Sequence, residues 1–370
     1  MIDVDRIKTE FCKLVEMDSE SFNERQIADY LKIKLEEFGF DVFEDNVGEK
    51  INGNAGNLYA YLKGDIEGEP LLFSAHMDTV VPGKSKKSVI DKNGTIKSNG
   101  KSVLGADDIS GIVSILEAIR CIKENNISHR SLEILFTVAE EVYIKGSKEF
   151  DYSKIKSKEA YTLDLSGPVG CVALSAPSII SFKANIIGKA SHSGFSPELG
   201  INSIAIMTSA ISKLKQGRIN KYTTFNIGKI KGGAANNIVS EKCSISGEIR
   251  SFKHQEAVEF ASKFERILLK ACEANGAKLE FETDLMCRSY NINLNEPVVK
   301  KFVKVCHALG YKSEMLKTFG GSDNNVFVEK GISGIVIACG MNSVHSTDEY
   351  TSLEELSKCA NIVIGLMTKI

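Results

Sequence analysis

The sequence predicts an α/β protein: a sheet covered by helices on both faces, interrupted by an inserted α+β sandwich. Three observations carry that reading. Helical and strand patterns alternate through the first half of the chain. The strand runs there are apolar throughout, as strands buried on both faces are. The texture changes near Ser178, where strands begin to alternate, and changes back near Tyr290. The 370 residues allow two or three domains at about 100–200 residues each. An apolar fraction of 43% provides the material for their cores.

Asp3 and Asp5 precede Ile7, Phe11, Leu14 and Val15 at helical spacing, and Ser21 to Phe38 repeats the pattern through Ile27, Leu31 and Leu35 before Gly39 stops it. Strands are expected at Asn57 to Leu62 and Leu71 to Ala75, and Asn93-Gly94 reads as a hairpin turn between two alternating runs. A helix over Ile109 to Lys123 is followed by strands at Leu132 to Val138 and Tyr161 to Leu165. Beyond Ser178, Ile180, Phe182, Ala184 and Ile186 alternate, and helices are expected near Asn202 to Lys215 and His254 to Asn275. The order strand, helix, strand, strand, helix, strand fits an α+β sandwich. A helix over Pro297 to Leu309 and a buried strand over Gly334 to Ala338 then restore the first texture. The expected organisation is an outer domain of residues 1–177 and 291–370 around an inserted domain of residues 178–290.

Charge excludes several function classes. Lys plus Arg number 46 against 48 for Asp plus Glu, a net charge of −2 without a basic stripe, so neither nucleic acid nor an anionic membrane is an expected partner. No apolar run approaches the roughly 18 residues of a membrane span. Met1 to Glu16 lacks a signal-peptide layout. Nine cysteines are scattered from Cys12 to Cys359 without a CxxC pair, which reads as reduced thiols in a cytoplasmic protein.

Chemistry-bearing residues collect where strands of such a sheet should end. SAHMDTV closes the run Leu71 to Ala75 with His76 and Asp78, two apart and so on one side of an extended chain. One could ligate a cation and the other orient the imidazole. LGADDISG places Asp107 beside Asp108 at a loop-to-helix junction, a costly pairing unless a cation or a helix N-terminus compensates; capping by Asp108 is the plainer reading. Glu140 and Glu141 follow an apolar strand, and their diverging side chains suit one as metal ligand and the other as general base, though loop positions hold solvated acids as readily. Asp164 ends another apolar strand. His345 stands in a polar loop before a helix, where a lone histidine is ordinarily a surface residue. Together, His76, Asp107, Glu141, Asp164 and His345 offer two nitrogens and three carboxylates, a set that suits two zinc-like ions sharing one carboxylate.

The motifs HMD, GADD, the EE pair, GGSDNNVF and GMNSVHSTDEY, in this order from Leu71 onward, resemble the peptidase T-like dinuclear zinc exopeptidases, relatives of the glutamate carboxypeptidases and acyl-amino-acid deacylases. Other dinuclear aminopeptidases insert their extra domain between the first histidine and the bridging aspartate; here Asp78 to Asp107 holds only a loop and hairpin, and the insertion follows Asp164. The resemblance implies a zinc-exopeptidase-type mixed sheet flanked by helices, with the insertion as lid and dimerisation domain. It implies that His76 binds one ion and His345 the other, that Asp107 bridges them, and that Glu141 and Asp164 complete the shells. Glu140 would be the general base and Asp78 the support of the imidazole, both catalytic, with a cis peptide between Asp107 and Asp108. For substrate it implies His192 as donor to the developing oxyanion, often from a partner subunit, and Asn237 and Arg250 as contacts to peptide backbone and carboxylate. Gly320, Gly321, Ser322 and Asp323 would present backbone amides to the pocket. The plainer readings are a structural histidine, Asn236-Asn237 as turn formers and Arg250 as a strand-face cation.

The implied activity is cleavage of the N-terminal peptide bond of short peptides, tripeptides foremost, by a cytoplasmic homodimer joined through the inserted domain. Two divalent ions per chain would serve it, zinc foremost, with cobalt and manganese also suited to the ligands. The alternatives are an N-acyl amino acid deacylase or carboxypeptidase-type amidohydrolase on the same centre, and a non-catalytic metal-binding protein.

Overall fold

Four strands, Arg130–Thr137, Ile66–His76, Glu159–Leu165 and Ser333–Ala338, lie side by side and parallel, so all four C-terminal ends open on one edge of the sheet. The computed structural model describes residues 2–368; Met1, Lys369 and Ile370, which the expected outer domain includes, lie outside the described residues. The chain divides into two compact units. The first comprises the residues up to Ser175, Asn291–Thr318 and those from Ser322 onward; the second comprises Ala176–Tyr290 with Phe319–Gly321.

In the first unit the sheet is mixed. Leu58–Leu62 pairs antiparallel with Arg130–Thr137 on one side, and Cys171–Ala176 pairs antiparallel with Ser333–Ala338 on the other. Three of the parallel strands are buried to their C-terminal ends, and Glu159–Leu165 is buried over residues 160–163, as their largely apolar runs require. The helix Ala106–Glu124 crosses behind them, buried on nearly every side by Ile112, Ile115, Leu116 and Ile119. Gly111 permits that approach, since a Cβ there would stand 2.5 Å from the Leu163 carbonyl oxygen. Val4–Val15 and Leu353–Met367 pack on its outer face.

The second unit is a five-stranded antiparallel sheet in the order Gly217–Arg218, Thr223–Gly232, Lys242–Ser251, Ser178–Ile187, Lys278–Cys287. Alternating residues of Ser178–Ile187 face the helices Ser203–Ile211 and His254–Glu273. Phe182, Phe225 and Phe264 meet at ring separations of 5.1–5.5 Å in the centre of that layer.

This is the mixed α/β fold with a second α+β unit that the sequence predicts, with local differences. The strand expected over Leu71 to Ala75 begins at Ile66, and the helix expected to Lys215 stops at Ile211. Cys171–Ala176, buried along its whole length, is a further strand beyond those expected. Asn93-Gly94 does turn a hairpin, between Ser88–Ile90 and Thr95–Ser98.

Candidate metal centre

The parallel ladder explains why distant motifs converge. His76 is the last residue of its strand and pairs in register with Thr137, so Glu140 and Glu141 emerge beside it from the neighbouring strand. Asp164 lies in the next strand, one residue before the Leu165–Ala338 pairing. The loop carrying His345 follows that last strand, and Asp107 stands at the head of the crossing helix.

Asp107 lies between two imidazoles. Its Oδ1 is 2.9 Å from His76 Nε2, and its Oδ2 is 3.3 Å from His345 Nε2. His345 Nε2 also stands 2.9 Å from Glu141 Oε2, and His76 Nε2 stands 3.8 Å from Asp164 Oδ1. One donor atom from each of His76, Asp107 and Glu141 falls within 4.8 Å of the others, and the same holds for His76, Glu140 and Asp164. Glu141 Oε1 is buried without a hydrogen-bond partner. The five residues read from the sequence as ligands are therefore brought together, with Glu140 among them. The Asp107–Asp108 peptide is cis. Asp108 turns away from the cluster and accepts from Gly111 N–H (3.3 Å) and His76 N–H (3.2 Å), so the capping role belongs to it alone.

Asp78 does more than support an imidazole. His76 Nδ1 faces the Asp78 backbone carbonyl at 2.9 Å and the Asp78 carboxylate at 3.5 Å. That carboxylate accepts from the Glu140 and Glu141 amides at 2.9 and 3.1 Å and from Ser21 Oγ at 2.7 Å. It thereby fixes the peptide from which both glutamates project.

The electrostatics call for positive charge. Burial, then the Asp164 charge, pushes the Glu140 carboxyl well above the usual range; burial, then Asp107, does the same to Asp164, and Glu141 is raised for the same two reasons. Burial also works against the Asp107 anion, but hydrogen bonds from His345 and His76 outweigh it and hold that carboxyl well below its ordinary value. His345 in turn rises to about 10, chiefly through its hydrogen bonds to Asp107 and Glu141. Two imidazoles cannot neutralise this many buried acids, whereas two divalent cations held by nitrogen and carboxylate donors would.

Three more residues hold the site from behind, and of these only Glu349 lies in a motif noted in the sequence, GMNSVHSTDEY. Glu24, buried and raised to about 7 by burial and then by Asp78, accepts from the Ala139 amide at 3.0 Å, just ahead of Glu140. Glu349, also buried, accepts from the Gly105 and Asp107 amides at 2.7 and 2.9 Å. Lys86 is buried with its ammonium donating to the Met17 and Gly83 carbonyls. Each works on main-chain groups, which no side-chain pattern reveals.

The expected substrate contacts sit differently. In the second unit His192 is exposed, stacked on Phe195 at 4.3 Å, and its Nδ1 accepts from the Gly194 and Phe195 amides. Asn237, also exposed, accepts through its backbone carbonyl from Ser193 N–H at 3.0 Å, so the two candidates occupy adjoining segments. Arg250 donates to both Glu248 oxygens (2.7 and 3.1 Å) and to the Phe319 carbonyl (2.7 Å), leaving at most two of its five donors for another acceptor. Gly321 falls in the second unit and Ser322 in the first. The Ser322 amide donates to Asn325 Oδ1 at 3.0 Å.

Comparison with known proteins adds family information. Residues 57–170 match the model described as peptidase family M28, and residues 174–275 match that of a peptidase dimerisation domain. An uncharacterised protein of Bacillus subtilis strain 168, YqjE, is 37% identical over 99% of both chains. A solved tripeptidase of Staphylococcus aureus has 33% identity and a TM-score of 0.96, covering 99% of this chain and 98% of its own. The solved aminopeptidase PepT of Bacillus cereus has 35% identity and a TM-score of 0.91 over the same shares.

Proposed function

The chain belongs to the peptidase T-like family of metallopeptidases, and on that premise we propose that it removes the N-terminal residue of short peptides, tripeptides foremost, using two divalent ions and Glu140 as general base. The observation that carries the reading is the convergence of His76, Asp107, Glu141, Asp164 and His345 on one sheet edge with Glu140 beside them. The donor set fits the ions: Asp107 turns one oxygen to each histidine, and Glu141 keeps a buried oxygen without a partner. In this reading His76 and Asp164 would hold one ion, His345 and Glu141 would hold the other, and Asp107 would serve both. Zinc is the ion we favour, with cobalt and manganese suited to the same donors.

When bound, such ions supply Lewis acidity that polarises the scissile carbonyl and acidifies water. Glu140 takes a proton from the attacking water as the new C–O bond forms, and returns it to the amine as the C–N bond breaks. Asp78 fixes the Glu140 amide, and with it the direction of the carboxylate. His192 would donate to the oxyanion, Asn237 and Arg250 would hold backbone and carboxylate, and Gly321 and Ser322 would border the pocket.

The match over residues 174–275 supports a homodimer joined through the second unit, to be read by light scattering. No described helix is long and apolar enough to cross a membrane. None of the nine cysteines, all among the described residues, is in a disulfide, which supports a cytoplasmic setting.

Initial rates on a free-amino tripeptide and on its N-acetyl form, with zinc-loaded and chelator-stripped protein, test the proposal. Metal-dependent cleavage of the free peptide alone is the expected result. Cleavage of the acetylated form alone would make the protein a deacylase, and inactivity on both would remove the peptidase reading.

A further inference from the structure

We propose that Glu349 is a positioning residue that sets the affinity of the ion on the His345 side of the centre; the inference rests on the two-ion reading above. Both histidines face Asp107, but His345 lacks the paired strand that holds His76. It stands 52% exposed in a loop, with φ at +61°, whereas the side chain of His76 is 1% exposed at the end of a paired strand. The loop is closed at its base by reciprocal Asn342–Tyr350 backbone bonds of 2.9 and 3.0 Å. Those bonds fix where the loop begins and ends, not where it stands relative to Asp107.

Glu349 supplies that missing distance. It lies on the same loop, 1% exposed, with its backbone bonded to Ser346 and Ser98. Its Oε2 accepts from the Gly105 amide and its Oε1 from the Asp107 amide, so a single carboxylate ties the histidine's loop to the turn carrying the shared aspartate. The turn is held from behind as well. Gly105 adopts φ +77°, and a Cβ there would stand 3.2 Å from Cε of the buried Lys86. Both Glu349 oxygens are engaged with main-chain N–H groups, so the residue acts by setting the distance of the His345 loop from Asp107 rather than as a ligand. On the other side, the parallel ladder places His76 without its help.

Loss of Glu349 should therefore weaken one ion selectively. In Glu349→Gln the side-chain volume remains, but one acceptor becomes an NH2 facing an N–H. Glu349→Ala removes both bonds. Metal-stripped wild type and both variants are titrated with zinc alone, with far-ultraviolet circular dichroism and the thermal midpoint of the stripped proteins recorded alongside. The expected result is two ions for wild type. For the variants it is one ion of nearly unchanged affinity and one weakened about 10–100-fold, with the fold retained. Excess zinc should restore turnover in Glu349→Gln. A wild type that takes up fewer than two ions overturns the two-ion reading and this inference together. Two ions held as tightly by the variants as by wild type overturn the inference alone. Equal weakening of both ions with a lowered midpoint would make Glu349 a general brace, which also overturns it.

Discussion

The candidate residues of the two units are held in opposite ways. In the first unit, His76, Asp107, Glu140, Glu141 and Asp164 are buried or nearly so, crowded at the ends of parallel strands, and short of positive charge. In the second, His192 and Asn237 are exposed, and Arg250 is engaged by Glu248 and Phe319 of its own unit. A buried, under-compensated cluster has folding energy invested in it, which is how rigid fold-borne sites come to carry chemistry. Exposed groups on loops and strand faces are placed cheaply and adjust to what they meet. Substitutions in the first unit should therefore alter turnover, metal content and stability, and those at Asn237 and Arg250 in the second should alter substrate affinity.

The largest effect is expected at Glu140. Glu140→Ala should lower kcat by about 10²–10⁴-fold, the usual range for a general base, while two ions remain bound and KM changes little. Steady-state rates with metal analysis on the same sample check this. Near wild-type turnover would remove the base assignment and with it the contrast between the units.

A smaller effect divides the first unit within itself. In chelator-stripped protein, His76→Ala leaves Asp107 buried with less compensation, and such losses cost about 3–5 kcal/mol. His345→Ala should cost far less, because half of its side chain is in water and its ion pairs are screened. The pH dependence gives a second measure. His345 titrates near 10 when folded, against about 6.5 for an ordinary histidine, so the charged form is favoured by the fold. The folded state then binds more protons over that interval, and its contribution is full below about 6.5 and lost as pH rises toward 10. The raised carboxyls of Glu140, Glu141 and Asp164 act in the same direction, because they too hold protons more tightly when folded. The stripped protein should become less stable from pH 6 to 9, and His345→Ala should flatten part of that slope. Urea midpoints across the interval read both effects, and a slope of the opposite sign would contradict this charge balance.

The contrast between the units also explains how much was legible in the sequence. HMD and the EE pair stand out because each follows an apolar run, and the run itself signals a buried strand with an edge to open on; GADD stands out as an adjacent acid pair where a helix begins. Their partners do not stand out. Glu349 reaches amides 242 and 244 residues away, and Glu24 reaches one 115 residues away. An acid bonded to main chain has no complementary side chain to search for. Asp78 shows the same limit: spacing suggests its link to His76, but its bonds to the Glu140 and Glu141 amides depend on the register of two parallel strands.

The smallest expected effect, in the second unit, is the most informative about specificity. Arg250 already spends three donors on Glu248 and Phe319, so a peptide carboxylate would meet at most the remaining two. A charge-assisted hydrogen bond contributes about 1.5–3 kcal/mol when well made. Sharing the guanidinium with Glu248 pulls the expected value to the low end, about a tenfold change in an equilibrium constant. Arg250→Ala should accordingly raise KM for a tripeptide about tenfold and leave kcat nearly unchanged. If the effect reaches the substrate carboxylate, it should disappear when that carboxylate is amidated, because wild type then has no anion to hold. A tenfold loss that persists on the amidated peptide would instead mark Arg250 as the structural partner of Glu248. It would then belong with the groups that hold the second unit's strands, and the division between chemistry and recognition would have to be drawn elsewhere in that unit.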